Sequence, residues 1–597
     1  MAAVFYVCLL KEVAMHKPPF ARTILLALLS VSALPALADN AQRLHQTCSR
    51  YLDEQPDYYE SRSARFSLRA MPQAAVKNHS VTSYEAAPSA APAVQATADL
   101  GSEGSYSIIN SEKRMVNAGA AAPSRQNTER YGHYEPNPVH AVAEQPVSTF
   151  SIDVDTGSYA NIRRFLTQSG RLPPADAVRI EEIINYFDYG YAKPADGKPF
   201  AVHTETVDSP FRSGAKLIRI GIQAKEVSQA ALPPANLVFL VDVSGSMYSR
   251  DKLPMVKYTL CTLAHQTRAQ DRITLVTYAD GNKVVLPPTP GNQRQKILAA
   301  LDSLKAGGST AGENAIQQAY QAAQRAYIRN GINRILLATD GDFNVGITDF
   351  STLRSMVAEK RKSGISLTTL GFGSGNYNER LMEQLADAGD GNYSYIDSPE
   401  EAQKVLHRQL SSTLATVAQD VKIQVEFNPA TVKEYRLIGY ENRMLAREDF
   451  NNDQVDAGDI GAGHNVTALY EIIPAGQTGW LPESRYQAAP AANDKAASEY
   501  AFINLRYKLP GQSNSILINR PVVVGSKPLA QGSNATRQAV AAAAFGELLR
   551  GGKYSGNFGW PQTLELARNA QSPDRHGLRR QFVQLIEKAQ QLSSKPQ

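Results

Sequence analysis

Four short, continuously apolar runs between Asn236 and Ala418 constrain this chain more than any other feature. They are Leu237-Val238-Phe239-Leu240-Val241, Ile273-Thr274-Leu275-Val276, Ile335-Leu336-Leu337-Ala338 and Leu367-Thr368-Thr369-Leu370. None shows the polar alternation of a half-exposed strand, so each is predicted to be buried on both faces. Stretches with helical spacing separate them, near 252–267, 292–305, 312–328, 350–362, 378–387 and 399–417. This alternation predicts an α/β fold, a Rossmann-like, doubly wound parallel sheet with helices on both sides. In such a sheet ligands bind at the carboxyl ends of the strands, where the connecting loops diverge.

The flanks read differently. Before the apolar runs, helical spacing marks Ser158 to Leu166 and Ala177 to Phe187, and 200–224 reads as paired strands with Ile218, Ile220 and Ile222 on one face. After them, 421–425, 466–470 and 501–505 are strand-like, and helices are predicted at Arg537 to Leu549 and Arg579 to Leu592. Strands at 200–224 and 421–525 would each leave unpaired edges if folded alone, and exposed edges invite aggregation. The expectation is therefore an α/β domain inserted between β-rich flanking regions that share one domain, with a C-terminal helical segment. The alternative is that 200–224 pairs only within the N-terminal segment. The boundaries are 149–235 for the N-terminal segment, 236–418 for the α/β domain and 419–593 for the C-terminal region.

The first 38 residues have the pattern of a cleaved leader. His16, Lys17 and Arg22 precede the apolar run Ile24 to Leu29, and Ala36-Leu37-Ala38 supplies a small-residue cleavage site. Met15 stands directly before this arrangement and is a candidate start. The apolar run is shorter than the ~20 residues of a membrane span. An uncleaved N-terminal anchor is the alternative, and export to a bacterial periplasm, cell envelope or medium is the expectation. Residues 39–148, rich in Ala, Ser, Pro, Asn and Gln without sustained periodicity, read as a disordered low-complexity linker.

Composition removes some function classes. With 62 Lys+Arg against 57 Asp+Glu the net charge is +5, too thin an excess for a nucleic-acid binder. Three Cys and ten scattered His form no zinc-ligand spacing. Whether Cys48 and Cys261 pair is left open by sequence.

The chemistry-bearing residues lie where the fold places ligand loops. The first run ends in Asp242-Val243-Ser244-Gly245-Ser246, Gly307-Gly308-Ser309-Thr310 precedes the third helix, and Thr339-Asp340-Gly341 ends the third run. Asp242, Ser244, Ser246, Thr310 and Asp340 form a set of hard oxygen donors with few carboxylates, suited to Mg²⁺ or Mn²⁺, with Ca²⁺ also acceptable, rather than zinc. Helix capping alone would explain Asp242 and the serines, but it requires neither Thr310 nor Asp340. Other motifs have plainer readings. Asp153-Val154-Asp155-Thr156 reads as an Asx-type turn, Asp449-x-Asn451-x-Asp453 as a solvated hairpin loop lacking the Gly and Glu of a calcium loop, and Gly371 to Gly375 as a tight turn without phosphate-loop spacing. His407 and His464 have no ligand-spaced partners.

The series Asp242-x-Ser244-x-Ser246, Thr310, Asp340 resembles the metal-ion-dependent adhesion site of von Willebrand factor type A (VWA) domains. Phe150 to Asn161, Ile180 to Phe187 and Tyr435 to Arg443 are similar to a family of exported bacterial proteins, in which that domain stands between an N-terminal von Willebrand factor segment and a C-terminal domain of unknown function. The resemblance covers roughly 149–590. It implies a non-enzymatic, metal-dependent binding protein of the cell envelope, of adhesion or scaffold type, whose Mg²⁺ captures an acidic side chain of a protein partner. A metal-dependent hydrolase and an accessory subunit of an envelope assembly complex are the alternatives. No Ser-His-Asp or Cys-His grouping supports the hydrolase.

Overall fold

The computed structural model describes residues 46–53 and 128–594, apart from 196, 309–312, 342–349, 409–415, 454, 456, 483–497, 572–573 and 575–576. The expected leader and most of the expected linker lie outside the described residues. Two stretches of that linker are nevertheless ordered, which corrects its boundaries. Residues 46–53 are helical and packed, with Cys48 bonded to Cys261 and the Tyr51 hydroxyl donating to Asp302 Oδ1 at 2.6 Å. Residues 128–131 run along the loop at 375–379 through backbone hydrogen bonds. Both attachments are made to residues more than 200 positions away, so local periodicity carries no trace of them.

The N-terminal flank forms β1 (His140–Ala141), β2 (Val147–Ser151), β3 (Phe200–Asp208) and β4 (Lys216–Ala224). The apolar runs then become a six-stranded sheet of β5 (Ala235–Asp242), β6 (Arg272–Tyr278), β7 (Asn282–Pro290), β8 (Ile332–Thr339), β9 (Ser366–Phe372) and β10 (Tyr393–Ile396), in the order β10-β9-β8-β5-β6-β7. Strand β5 lies parallel between β6 and β8. Its alternate residues feed two separate cores, Leu237, Phe239 and Val241 into one and Val238 and Leu240 into the other, which is why the run is apolar throughout.

One expectation about this sheet needs correction. It is not wholly parallel, because β7 returns antiparallel to β6 across the Asp280-Gly281 turn. An Asp-Gly pair is a strong hairpin signal, but Pro287 and Pro288 mask the strand, and β7 tolerates them because it is an edge. The helix predicted over 399–417 is described over Pro399–Arg408, and Thr416 and Val417 belong to a strand instead.

The C-terminal region supplies β11 (Thr416–Phe427), β12 (Val432–Ile438), β13 (Met444–Leu445), β14 (Ile460–Gly461), β15 (Asn465–Pro474), β16 (Glu499–Lys508) and β17 (Ser515–Val523). These join the N-terminal strands in two sheets, β1-β12-β15-β4-β3 and β13-β2-β11-β16-β17. Ile218, Ile220 and Ile222 of β4 stand opposite Tyr470, Ala468 and Val466 of β15, and Phe150 of β2 opposite Ile423 of β11. The two sheets enclose a common core of these residues with Leu437, Ile503 and Leu505, so the α/β domain is an insertion between the halves of one β-sandwich. Helices Gly157–Thr167, Ile180–Ile184, Asn534–Leu549, Trp560–Asn569 and Leu578–Ser593 pack into a third cluster against Leu217, Ile438 and Leu469, on the outer face of the first sheet. The helix expected over Ala177 to Phe187 is shorter than predicted, a 3-10 turn Ala175–Ala177 followed by Ile180–Ile184.

Buried arginines fasten the inserted domain to this scaffold. Arg163 donates to Asp397 Oδ2 at 2.7 Å and to Glu401 Oε2 at 2.8 Å, and Arg443 reaches Asp155 at 3.2 Å and Glu383 at 3.3 Å. Removing one member of such a pair costs roughly 3–5 kcal/mol, because its partner stays buried and charged. Glu379 is different. It is 1% exposed, and neither carboxylate oxygen has a hydrogen-bond partner among the described residues. Burial pushes its pKa up to about 8 against the opposing charge of Arg179, and the neighbouring carboxylates of Glu383, Glu181 and Asp155 push the same way.

Two outcomes follow from this architecture. Expressed alone, 416–594 leaves β11 without β2 and β15 without β4, so it is expected to show no cooperative thermal transition, and co-expression with 128–235 is expected to restore one. Glu379 holds its proton in the folded state up to about pH 8, whereas it ionises near 4.5 when unfolded. Folding stability therefore falls as pH rises between those values. Glu379→Gln is expected to melt higher than the wild type at pH 8 and at the same temperature at pH 4, with circular dichroism melts as the measurement.

Candidate metal centre

The carboxyl ends of β5 and β8 are adjacent, which brings Asp242 and Asp340 together as the first charged residues after two apolar runs. Both are fully buried. Asp242 Oδ1 accepts from the Ser244 amide at 2.9 Å, and Oδ2 from Thr339 Oγ1 at 3.0 Å and Tyr278 Oη at 3.2 Å. Burial raises its pKa to about 6, with the Asp340 charge adding to the rise and the hydrogen bonds from Ser244 and Thr339 restraining it. Ser244 and Ser246 turn back over the strand end with their hydroxyl oxygens 3.0 Å apart, and Ser246 also hydrogen-bonds Asp340.

Asp340 sits in a different field. Burial alone would raise its pKa, but the Lys252 ammonium at 2.8 Å, Ser246 and Asn376 at 3.2 Å hold it below the usual carboxylate value. Lys252 and Asn376 are absent from the residues singled out by sequence. Each lies far from Asp340 in the chain and carries no motif of its own. Asn376 belongs to the turn after β9, so the glycine-rich stretch Gly371 to Gly375 is more than a tight turn: it delivers a side chain to the site.

Thr310 lies outside the described residues. The backbone leading to it is tied to the Asp242 loop, with Gly307 N donating to Val243 O at 2.8 Å and Gly245 N to Gly308 O at 3.0 Å. Gly308 has φ +83°, and a Cβ there would fall 2.4 Å from the Asp280 carboxylate, so the crossing requires glycine.

The remaining motifs have structural partners. Asp155 accepts from the Tyr393 amide at 2.9 Å and from Arg443, so it belongs to the docking contacts rather than to a simple turn. Asp453 accepts from Arg506 and Ser515. The His407 side chain is outside what the structure describes. His464 lines a cleft of about 1010 Å³ that also holds Arg334, Asp155 and Arg443. Arg334 is near the start of β8, so the cleft opens at the opposite end of that strand from Asp340, and none of Asp242, Ser244, Ser246 and Asp340 lines it.

The motifs and the fold agree with the comparisons. Residues 236–408 match the von Willebrand factor type A domain, 125–219 the family described as von Willebrand factor, and 412–592 the C-terminal domain of uncharacterized protein YfbK. The chain is 46% identical over 490 residues to uncharacterized protein YfbK of Escherichia coli (strain K12), covering 80% of this chain and 84% of that one. The chain belongs to the YfbK family of bacterial VWA proteins. It is also similar to inter-alpha-trypsin inhibitor heavy chain H3 of Bos taurus, at 23% identity over 40% of this chain and 28% of that one. Among solved structures, the ArnB paralog VWA2 from Sulfolobus acidocaldarius aligns at 17% identity over 66% of this chain and 98% of that one, with a TM-score of 0.35. VWA domains mediate protein–protein interaction and commonly bind a divalent metal.

The segment at 128–131, inside the family match over 125–219, reaches the VWA site indirectly. Thr128 N donates to Gly375 O and Arg130 N to Tyr377 O, each at 2.9 Å, while the Glu129 carboxylate accepts from Gly375 N at 2.9 Å and pairs with Arg164 at 3.0 Å. This strap grips the turn that carries Asn376. Glu129→Ala is expected to speed hydrogen exchange at the Gly375 and Glu379 amides by about tenfold or more, since a lost buried hydrogen bond is worth ~1–3 kcal/mol. Amides of β5 are expected to keep their protection, and unchanged exchange at Gly375 would show that the strap does not hold the turn.

Proposed function

We propose that this VWA protein is a metal-dependent protein-binding module of the bacterial cell envelope, of adhesion or scaffold type. The observation that carries the reading is the convergence of Asp242, Ser244, Ser246 and Asp340 at the carboxyl edge of the sheet. The donor set is all oxygen, is buried at Asp242, Ser244 and Asp340 and half-buried at Ser246, and already attracts a cationic group in the form of the Lys252 ammonium. It fits a small hard cation. Asp242, Ser244, Ser246, Thr310 and Asp340 would hold Mg²⁺, or Mn²⁺ or Ca²⁺ in its place. The ion would supply an electrophilic point to which a partner's Asp or Glu carboxylate binds.

Binding is favoured over hydrolysis by the state of the two carboxylates. Asp242 accepts hydrogen bonds on both oxygens, and Asp340 is engaged by Lys252 and Asn376. A general base needs a carboxylate within reach of a substrate proton, and these two are committed elsewhere. Export is supported by the Cys48–Cys261 disulfide, since such bonds persist in oxidising compartments, and by the leader pattern before Asp39. Among the described residues no helix is long and apolar enough to cross a membrane.

Asp242→Ala is expected to abolish Mg²⁺ binding measured by isothermal titration calorimetry, while the fold persists by circular dichroism. A mutant that binds Mg²⁺ as tightly as the wild type would refute the assigned site.

A further inference from the structure

Lys252 is the residue before helix Leu253–Gln266, and its side chain runs inward rather than out to solvent. Only 7% of it is exposed. Nζ donates to Asp340 Oδ2 at 2.8 Å and to Asn376 Oδ1 at 3.0 Å. Its stem passes against Gly373, where a Cβ would fall 2.3 Å from Lys252 Cγ and 2.5 Å from Cε, and where φ is +76°. A glycine therefore opens the passage, and the Asn376 amide, which also donates to Asp340, completes the far end. Burying an ammonium is costly unless it is paired and hydrogen-bonded. Here both conditions are met by a carboxylate of the proposed metal set.

We infer that Lys252 is a resident counter-charge that sets the ligand preference of the metal centre: it weakens the hold on the divalent ion and keeps the loaded site positive, so that the partner's group must be anionic. The inference rests on the metal reading above. Asp242 and Asp340 together carry two negative charges, which a divalent ion alone would cancel. With the ammonium retained at Asp340 the same group of charges stays at +1. A neutral donor, such as an amide or a hydroxyl, leaves that charge uncompensated, whereas a carboxylate removes it. The same ammonium repels the incoming ion and occupies one oxygen of Asp340. Replacing Lys252 by a neutral residue therefore acts in opposite directions on the two ligands, a pattern that general damage to the site would not produce.

The test compares the wild type with Lys252→Gln and the similarly shaped Lys252→Met, each checked for folding by circular dichroism. Mn²⁺ and Mg²⁺ affinities are read by calorimetry. Acetate is then titrated into the Mn²⁺-loaded proteins and followed by water proton relaxation, which falls as a carboxylate displaces metal-bound water. A neutral residue is expected to tighten metal binding roughly tenfold or more, since like charges a few ångströms apart in a partly buried site repel strongly. Acetate binding is expected to weaken by a similar factor. Metal affinity that is unchanged or lower in both variants overturns the inference, as does acetate binding that is unchanged. If neither the wild type nor the variants bind either ion, the metal reading itself fails and the inference with it. If the wild type binds Mg²⁺ and Asp242→Ala does not, while Lys252→Gln binds it no more tightly, only the counter-charge role is lost.

Discussion

The pairing of β2 and β4 with strands that follow them by some 250 residues is the constraint on which the rest of the fold depends. Strand β4 has apolar residues on both faces, and β15 covers its free edge over eight consecutive residue pairs. Strand β2 is held in the same way by β11. Backbone groups left unpaired in a buried sheet cost about as much as a lost hydrogen bond each. The sandwich therefore closes only when the chain on both sides of the insertion is present. The inserted domain enters and leaves through β4 and β11, one from each sheet.

Closure leaves the inserted domain with a face to dock, and charge governs how it does so. Arg163 and Arg443 come from the flanks and meet Asp397, Glu401, Glu383 and Asp387 of the VWA domain. Except at the exposed Asp387, these pairs have little access to water, so their directionality fixes orientation in a way that apolar contact would not. Tyr377, Tyr393 and Tyr395 pack with Ala160 beside them, extending the contact as an apolar patch. Around Glu379, burial together with the carboxylates of Glu383, Glu181 and Asp155 outweighs the Arg179 guanidinium at 3.9 Å and favours the protonated form.

The candidate metal centre, at the carboxyl ends of β5 and β8, shares this economy of charge. Two buried carboxylates in close approach would repel, and Lys252 relieves one of them. The turn that frames Lys252 is in turn gripped by the strap at 128–131. N-terminal residues thus contribute to the surroundings of a candidate site whose proposed ligands all belong to the VWA domain.

Much of this was legible in the sequence, because it depends on local pattern. Four apolar runs identify β5, β6, β8 and β9, since a strand buried on both faces has no choice of residue at alternate positions. The candidate ligands Asp242, Ser244, Ser246 and Asp340 were equally visible, because they lie at or just beyond the ends of such strands and parallel order brings those ends together. Strand β7 was hidden by its prolines, which an edge permits, and the ordered parts of 39–148 by their lack of period. The tertiary structure alone decided that Cys48 meets Cys261, that Arg163 meets Asp397 and Glu401, and that Lys252 and Asn376 meet Asp340. Those contacts join residues between 36 and 238 positions apart. Periodicity reports which face of an element is buried, but a buried charge or thiol is defined by its partner, and that partner is set only when the distant parts of the chain have closed around it.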